Sequence, residues 1–154
     1  MIFIGPMEDD EMVEYIDTNI FIHAIIRKKD ELTENEKRIK ENSMNIIIKI
    51  QNGVQVRITT FQIAEIMNIL EKWEGHEIAR DIIRFIIETP NVKIHEITQN
   101  ELVKAIELAE QYKHNKIGFN DLVTVAAMRN TKYREIYSFD KHFDQFTDIR
   151  RLEE

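Results

Sequence analysis

Residues Met12–Asp17 read MVEYID, a short apolar run that ends in an acid. Apolar, β-branched and aromatic side chains concentrated over so few residues are typical of a β-strand. Three later stretches have the same character: Val54–Ile58 (VQVRI), Val92–Ile97 (VKIHEI) and Glu135–Asp140 (EIYSFD). We therefore predict four strands, of which the first and the fourth each finish on an aspartate.

Helical patterns separate these strands. Apolar residues recur at helical spacing over Ile20–Lys28 and His76–Glu88, and Asn120–Asn130 has a similar pattern. Three more helices are predicted to begin at capping boxes, where a threonine precedes Glu or Gln by three residues: Thr33 with Glu36 (helix to about Gln51), Thr59 with Gln62 (helix Phe61–Glu74) and Thr98 with Glu101 (helix to about Tyr112). This alternation predicts an α/β fold with a parallel sheet and helices on both faces.

The composition favours one soluble globular domain. The chain has 154 residues, 43% of them hydrophobic, and only four Gly and two Pro, so no linker divides it. The absence of cysteine excludes disulfides, thiolate nucleophiles and zinc sites built on sulfur. The first residues are acidic rather than basic, and no apolar run reaches the roughly 18 residues of a membrane span. We therefore expect a cytoplasmic protein with no membrane partner.

The formal net charge of -7 argues against a protein that coats nucleic acid by charge alone. Any contact with nucleic acid must therefore be local. Lys113 and Lys116 precede Asp121 closely, and we expect them to contact a phosphate backbone without reading its sequence. The other basic runs are predicted to be solvated faces: Arg27-Lys28-Lys29, Lys37-Arg38-Lys40 and Arg129–Arg134.

Four acids are predicted to meet at one edge of the sheet. Asp17 and Asp140 end the first and fourth predicted strands, and the carboxyl ends of parallel strands lie at the same edge. Asp121 lies in the first turn of its helix and Glu65 lies early in another, so both can face that edge. Like charges about 4 Å apart repel by about 1 kcal/mol in water and by several times more near a protein, so such a cluster requires protons or cations.

Divalent cations suit this cluster. Carboxylate oxygens are typical ligands of Mg²⁺ and Mn²⁺, which proteins commonly share with substrate phosphates. A metal held this way can lower the pKa of water, orient a phosphate and neutralise developing charge, so phosphodiester cleavage without a separate general base is predicted. The five histidines lack metal-pair spacing and are predicted to lie at the surface: His23, His76, His95, His114 and His142. Of these, only His142, two residues after Asp140, is retained as a candidate to watch.

The acids lie in motifs that resemble those of PIN-domain nucleases. Asp17-Thr18-Asn19 follows an apolar strand, Glu65 lies in a helix, Asp121 lies within NDLVTVAAM, and Asp140 lies within SFDKHF. Their order and spacing are similar to those of small PIN proteins, including the VapC-type toxins. The resemblance extends from Met12 over nearly all of the remaining chain.

The resemblance implies a PIN domain over residues 12–154, preceded by an acidic extension over residues 1–11. It implies a sheet of about five parallel strands, the fifth near Ile149–Leu152, and an endoribonuclease that uses Mg²⁺ or Mn²⁺ to cut RNA. Homodimers and a protein antitoxin are the implied partners. By the same resemblance, Asp17, Glu65, Asp121 and Asp140 would bind metal and catalyse, and Thr18, Asn19 and Ser138 would support them. Asp144 follows Asp140 closely, which leaves open whether the fourth acidic role is shared or shifted to it; Asp140 is preferred because it ends the predicted strand.

Three alternatives remain open at this point. A toxin would arrest growth on expression, whereas an RNA-processing nuclease would be harmless. A non-catalytic PIN-like scaffold would bind RNA or protein without cutting. A phosphotransfer domain of the receiver or haloacid-dehalogenase kind shares the α/β pattern. Phosphatases of that kind carry a D-x-D motif, whereas in this chain Asn19 stands where the second aspartate of the motif would be.

Overall fold

A computed structural model describes residues 13–27 and 30–154. The predicted extension at residues 1–11 and the lysines at positions 28 and 29 lie outside the described residues. The strands are β1 (Glu14–Ile16), β2 (Val56–Thr59), β3 (Val92–His95), β4 (Glu135–Tyr137) and β5 (Arg150–Leu152). The helices are α1 (Thr18–Ile25), α2 (Glu34–Gln51), α3 (Thr60–Trp73), α4 (His76–Glu88), α5 (Gln99–Gln111) and α6 (Phe119–Arg129), with a 3₁₀ helix at Lys141–Gln145.

The five strands form one sheet in the order β3-β2-β1-β4-β5, and every neighbouring pair is parallel. The predicted α/β fold with a five-stranded parallel sheet is confirmed. Strands β2 and β3 are added on one side of β1, and β4 and β5 on the other side. The direction in which strands are added therefore reverses between β1 and β4. In open parallel sheets the crevice at such a reversal, beyond the carboxyl ends of the strands, is where ligands bind.

Each face of the sheet carries its own hydrophobic core, which confirms the prediction of helices on both faces. Successive residues of a strand point to opposite faces, and β1 supplies both cores because Tyr15 and Ile16 are each 0% exposed. Ile16 packs with side chains of α1 to α4, including Ile46 and Leu70. Tyr15 packs with α5 and α6, for example against Val123.

The predicted helix starts are confirmed at all three capping boxes. The hydroxyls of Thr33, Thr59 and Thr98 each accept a hydrogen bond from the backbone N–H three residues later, at 3.1 to 3.2 Å. The Glu or Gln at that third position accepts a hydrogen bond from the threonine N–H in return. Between α3 and α4, Gly75 has a φ of 93°, a left-handed conformation that favours glycine, so the chain changes direction there.

Strand β4 is shorter than predicted, and this changes how Asp140 is placed. The strand ends at Tyr137, not at Asp140. The Ser138 hydroxyl accepts a hydrogen bond from the Asp140 N–H at 2.9 Å, and the Asp140 carboxylate accepts one from the His142 N–H at 2.9 Å. These side-chain contacts turn the chain into a 3₁₀ helix that the sequence pattern did not predict, so Asp140 caps that helix and does not terminate a strand.

The prediction of surface histidines is wrong for His95. Its side chain is only 12% exposed and lies between Tyr15 and Glu101. The Tyr15 hydroxyl is 2.8 Å from Nδ1 of His95, and a Glu101 carboxylate oxygen is 2.7 Å from Nε2. No helix among the described residues is long and apolar enough to cross a membrane.

Candidate metal centre

Asp17 lies immediately after β1, at the N-cap position of α1, and is only 5% exposed. Its N–H donates to the carbonyl of Tyr137 at 2.9 Å, which joins the ends of β1 and β4. Its carboxylate accepts a hydrogen bond from the buried Ser138 hydroxyl at 2.6 Å. The structure therefore fixes this carboxylate at the reversal of strand order.

Asn19 and Gln62 hold the surrounding loops together. The Asn19 amide donates to the Ser138 hydroxyl at 3.3 Å and accepts from the Phe139 N–H at 3.4 Å. The Gln62 amide donates to the carbonyl of Ile16 at 2.9 Å, which ties the start of α3 to the end of β1. These contacts support the roles predicted for Asn19 and Ser138, and they add Gln62, which the sequence suggested only as part of a capping box.

Asp121 and Glu65 approach the same crevice from two helices. Asp121 lies in the first turn of α6, as predicted. The preceding residue, Asn120, donates a short side-chain hydrogen bond to the Glu65 carboxylate and so joins α6 to α3. A Cβ at Gly118 would lie 3.8 Å from a carboxylate oxygen of Asp121, so the backbone before α6 passes close to this acid.

Asp140 completes the cluster. Oxygens of Asp121 and Asp140 and a ring nitrogen of His142 all lie within 4.8 Å of one another. The Nδ1 atom of His142 is 3.1 Å from Oδ1 of Asp140. Among the described residues, Asp17 and Glu65 are not part of this group of three ligand atoms. Their charges nevertheless raise the pKa of Asp121.

Burial and mutual repulsion perturb two of the acids strongly. Burial raises the pKa of Asp17 to about 6, and the charges of Asp140 and Glu65 add to the rise, while the hydroxyl of Ser138 and the N–H of Thr18 oppose it. Burial raises the pKa of Asp121 to about 8, with further contributions from Asp17, Asp140 and Glu65. The cluster thus holds more negative charge than its surroundings stabilise, which is the condition that bound cations relieve.

The donor set fits Mg²⁺ or Mn²⁺. Both ions favour carboxylate oxygens, and Mg²⁺ in particular is usually held by one or two carboxylates together with water and substrate phosphate. Asp121 and Asp140 present oxygens close enough to share one ion. The chain contains no cysteine, so no thiolate site competes with this arrangement.

Comparison with protein families identifies the domain. The PIN domain family model matches residues 15–149, which include all four acids and every strand except Glu14 of β1 and the whole of β5. The chain belongs to the PIN domain family. The resemblance seen in the sequence motifs is confirmed at the level of the family.

Solved structures share the fold of this PIN domain at low sequence identity. VapC20 of Mycobacterium tuberculosis, a toxin that cleaves the sarcin-ricin loop, superposes with a TM-score of 0.68 at 18% identity, covering 85% of this chain and 92% of that one. VapBC2 of Rickettsia felis, bound to a DNA fragment from its promoter, gives 0.63 at 15% identity, covering 92% and 98%. VapBC-1 of nontypeable Haemophilus influenzae gives 0.62 at 17% identity, covering 92% and 97%. Comparison with curated proteins finds no match.

Two of the residues predicted to support the acids are placed differently in this PIN domain. Both carboxylate oxygens of Asp144 accept hydrogen bonds from Arg151, at 3.0 and 3.1 Å. Arg151 also donates to the carbonyl of Ser138 at 3.1 Å. Asp144 thus steadies the loop after β4 through Arg151, and a share in the role of Asp140 stays a prediction. The Thr18 hydroxyl is buried and makes no hydrogen bond within the described residues, so the supporting role of this hydroxyl stays a prediction.

Lys113 and Lys116 lie in the turn between α5 and α6 and are exposed. Lys113 forms an ion pair with Glu110 at 3.4 Å, and Lys116 has a left-handed φ of 54°. Both precede the helix that carries Asp121 by a few residues. Spacing rules did not single out the other near neighbours of the acids: Asn120, Gln62 and His142. Asn120 and Gln62 make contacts between segments far apart in the chain, which local patterns do not encode. His142 contacts the nearby Asp140, but its proximity to Asp121 on α6 is likewise not visible in a local pattern.

Proposed function

We propose that this PIN domain is a metal-dependent endoribonuclease in which Asp17, Glu65, Asp121 and Asp140 hold Mg²⁺ or Mn²⁺. The observation that supports the proposal is that oxygens of Asp121 and Asp140 lie close together, and that burial and the charges of Asp17, Asp140 and Glu65 raise the pKa of Asp121 to about 8. A cationic cofactor would neutralise the excess negative charge of these acids, at a place in the sheet where ligands commonly bind. Membership of the PIN domain family supports the same reaction class.

The proposed roles follow from the contacts of each residue. Asp121 and Asp140 would supply oxygens to hold the metal. Asp17, oriented by Ser138, and Glu65, oriented by Asn120, would add the negative charge that attracts it. The ion would lower the pKa of water and neutralise charge at the scissile phosphate. No side chain is assigned as a separate general base.

The test is cleavage of mixed RNA by the purified chain. We expect product in Mg²⁺ or Mn²⁺ and none in EDTA, with activity restored when excess metal is added back. The oxygen-rich donor set requires a divalent cation, so the response must follow the metal. RNA that remains intact in both ions, while the protein still binds it, would favour a non-catalytic scaffold over this proposal.

Lys113 and Lys116 are proposed to contact the RNA backbone beside the site. Replacing both with Glu is expected to weaken binding of a single-stranded oligoribonucleotide in EDTA by about 10-fold and to reduce the dependence of binding on salt. The reason is that phosphate contacts release counterions, and a reversed charge abolishes that release. Fluorescence anisotropy at several salt concentrations measures both effects.

Lys104 provides a matched control for this pair. It is exposed to a similar extent as Lys113 (56% against 58%) and also pairs with a glutamate three residues away, Glu107. Lys104→Glu combined with Lys93→Glu makes the same change in net charge elsewhere on the surface. Equal loss of binding in the control pair would mean that net charge, and not a contact at Lys113 and Lys116, governs the affinity.

Protein partners are also proposed. Three of the structures of similar fold are VapBC assemblies, and we infer an antitoxin partner for this chain by analogy. An apolar groove of about 700 Å³ between α1, α2 and the end of α3, bordered by the 64% exposed Trp73, offers surface to such a partner.

Exposed Val103 and Ile106 on α5 offer surface for a homodimer. Growth arrest on expression separates the toxin role from RNA processing, and light scattering measures the dimer.

A further inference from the structure

We propose that His142 is a direct ligand of the bound ion and that it makes the site favour Mn²⁺ over Mg²⁺. This inference rests on the proposed function, since it concerns the same metal centre. It adds a nitrogen ligand to a site that the sequence suggested was built from carboxylates alone.

The backbone holds His142 beside the acids. It is the second residue of the 3₁₀ helix that Asp140 caps. Oδ1 of Asp140 accepts a hydrogen bond from the His142 N–H at 2.9 Å and lies 3.1 Å from the ring atom Nδ1. Two contacts to one carboxylate oxygen fix both the backbone and the ring of His142 at the edge of the cluster.

The ligand atoms have the separation that one ion requires. A ring nitrogen of His142 and oxygens of Asp121 and Asp140 lie within 4.8 Å of one another. Ligands of one octahedral ion, each about 2.1 Å from the metal, are about 3 to 4 Å apart. Small side-chain rotations therefore bring all three atoms onto one ion.

The His142 ring is accessible for this role. Its side chain is 45% exposed, and Asp140, at 31%, lies beside it at the mouth of the site. With its proton on Nε2, the ring presents the lone pair of Nδ1 beside Oδ1 of Asp140, 3.1 Å away, which is a separation that two ligands of one ion have. The same contact to Asp140 therefore orients the ring for coordination.

A nitrogen ligand discriminates between the two ions. Mg²⁺ is a hard cation that proteins bind through oxygen and water, so imidazole adds little to its affinity. Transition-metal ions accept imidazole more readily, and the carboxylates in the rest of this site suit Mn²⁺ among them. Coordination by His142 thus predicts a gap in affinity between Mn²⁺ and Mg²⁺ that carboxylates alone would not produce.

The experiment is pulsed electron paramagnetic resonance of Mn²⁺ bound to the purified full chain, with calorimetric titration of both ions. We expect ¹⁴N hyperfine coupling from a bound imidazole in the wild-type protein and its loss in His142→Gln. The same substitution should weaken Mn²⁺ binding by about 10-fold or more and Mg²⁺ binding by less than about 3-fold. His23→Gln is the control: His23 contacts Phe139 near the site at 5.9 Å between ring centres, and its replacement should leave the coupling intact.

The outcomes separate the inference from the proposed function. Mn²⁺ that binds to the wild-type protein without ¹⁴N coupling overturns the inference and leaves the carboxylate site standing. Equal weakening of Mn²⁺ and Mg²⁺ binding in His142→Gln overturns the selectivity, because His142 would then act only as a partner of Asp140. Failure of the wild-type protein to bind either ion overturns the proposed function. Thermal unfolding of His142→Gln shows whether the variant is folded.

Discussion

RNA cleavage by the Asp121→Asn protein is expected to fall by at least about 100-fold. Loss of a residue that merely orients a metal ligand commonly costs 10- to 100-fold, and Asp121 is proposed to contact the metal itself. Asparagine has nearly the same shape as aspartate but lacks the charge that attracts the ion. The measurement is the initial rate of product formation from labelled RNA at saturating Mn²⁺, compared with the wild-type rate.

Asp17→Asn should produce a similar loss, because Asp17 is buried after β1 and carries one of the charges that act on Asp121. Asp81→Asn is the matched control, since Asp81 is an exposed acid on α4. The control should retain full activity. An Asp121→Asn protein that is folded, binds RNA and cuts it at more than about a third of the wild-type rate would exclude these acids from the catalytic centre.

The sequence predicted the architecture because local signals agreed with one another. Thr33, Thr59 and Thr98 began helices at capping boxes, and these boxes are short-range arrangements that a few neighbouring residues complete. Strand runs between them implied parallel crossovers. Once the strands were parallel, the acids that follow β1 and β4 had to appear at one edge of the sheet.

The details of the site depend on contacts that no local pattern encodes. Ser138 and Asp17 are 121 residues apart in sequence, and Asn120 and Glu65 are 55 apart. Metal-pair spacing rules address two ligands on one helix or loop, so they do not identify a group such as His142 and Asp140 with Asp121, which lies on a different helix. Asp140 was predicted at the correct edge for the wrong reason, because a turn made by Ser138, not the end of a strand, places it there.

The raised pKa values give the metal-free protein a distinctive dependence of stability on pH. In the unfolded chain an aspartate ionises near its ordinary value of 3.8, whereas in the folded protein the pKa is about 6 for Asp17 and about 8 for Asp121. Between these limits the folded state binds protons that the unfolded state has released. The free energy of unfolding therefore falls as pH rises from about 4 to about 8, and bound metal offsets the fall at the upper end.

In EDTA, Asp121→Asn is expected to unfold at a higher temperature than the wild-type protein at pH 8, with a smaller difference at pH 6. The amide removes a buried charge that the metal-free site cannot stabilise, and relief equivalent to one pKa unit, about 1.4 kcal/mol, raises Tm by roughly 3 to 6 °C in a domain of this size. Acids whose pKa values are lowered stay ionised throughout this range from pH 6 to 8, so they do not contribute to the change in stability: Glu74, Glu101, Asp148 and Glu153. Saturating Mn²⁺ at pH 8 should reverse the order, stabilising the wild-type protein more than the variant, while Asp81→Asn follows the wild type throughout. If Asp121→Asn melts at or below the wild-type temperature in EDTA at pH 8, repulsion among the acids does not burden the folded state, and the physical case for a cation at this site fails.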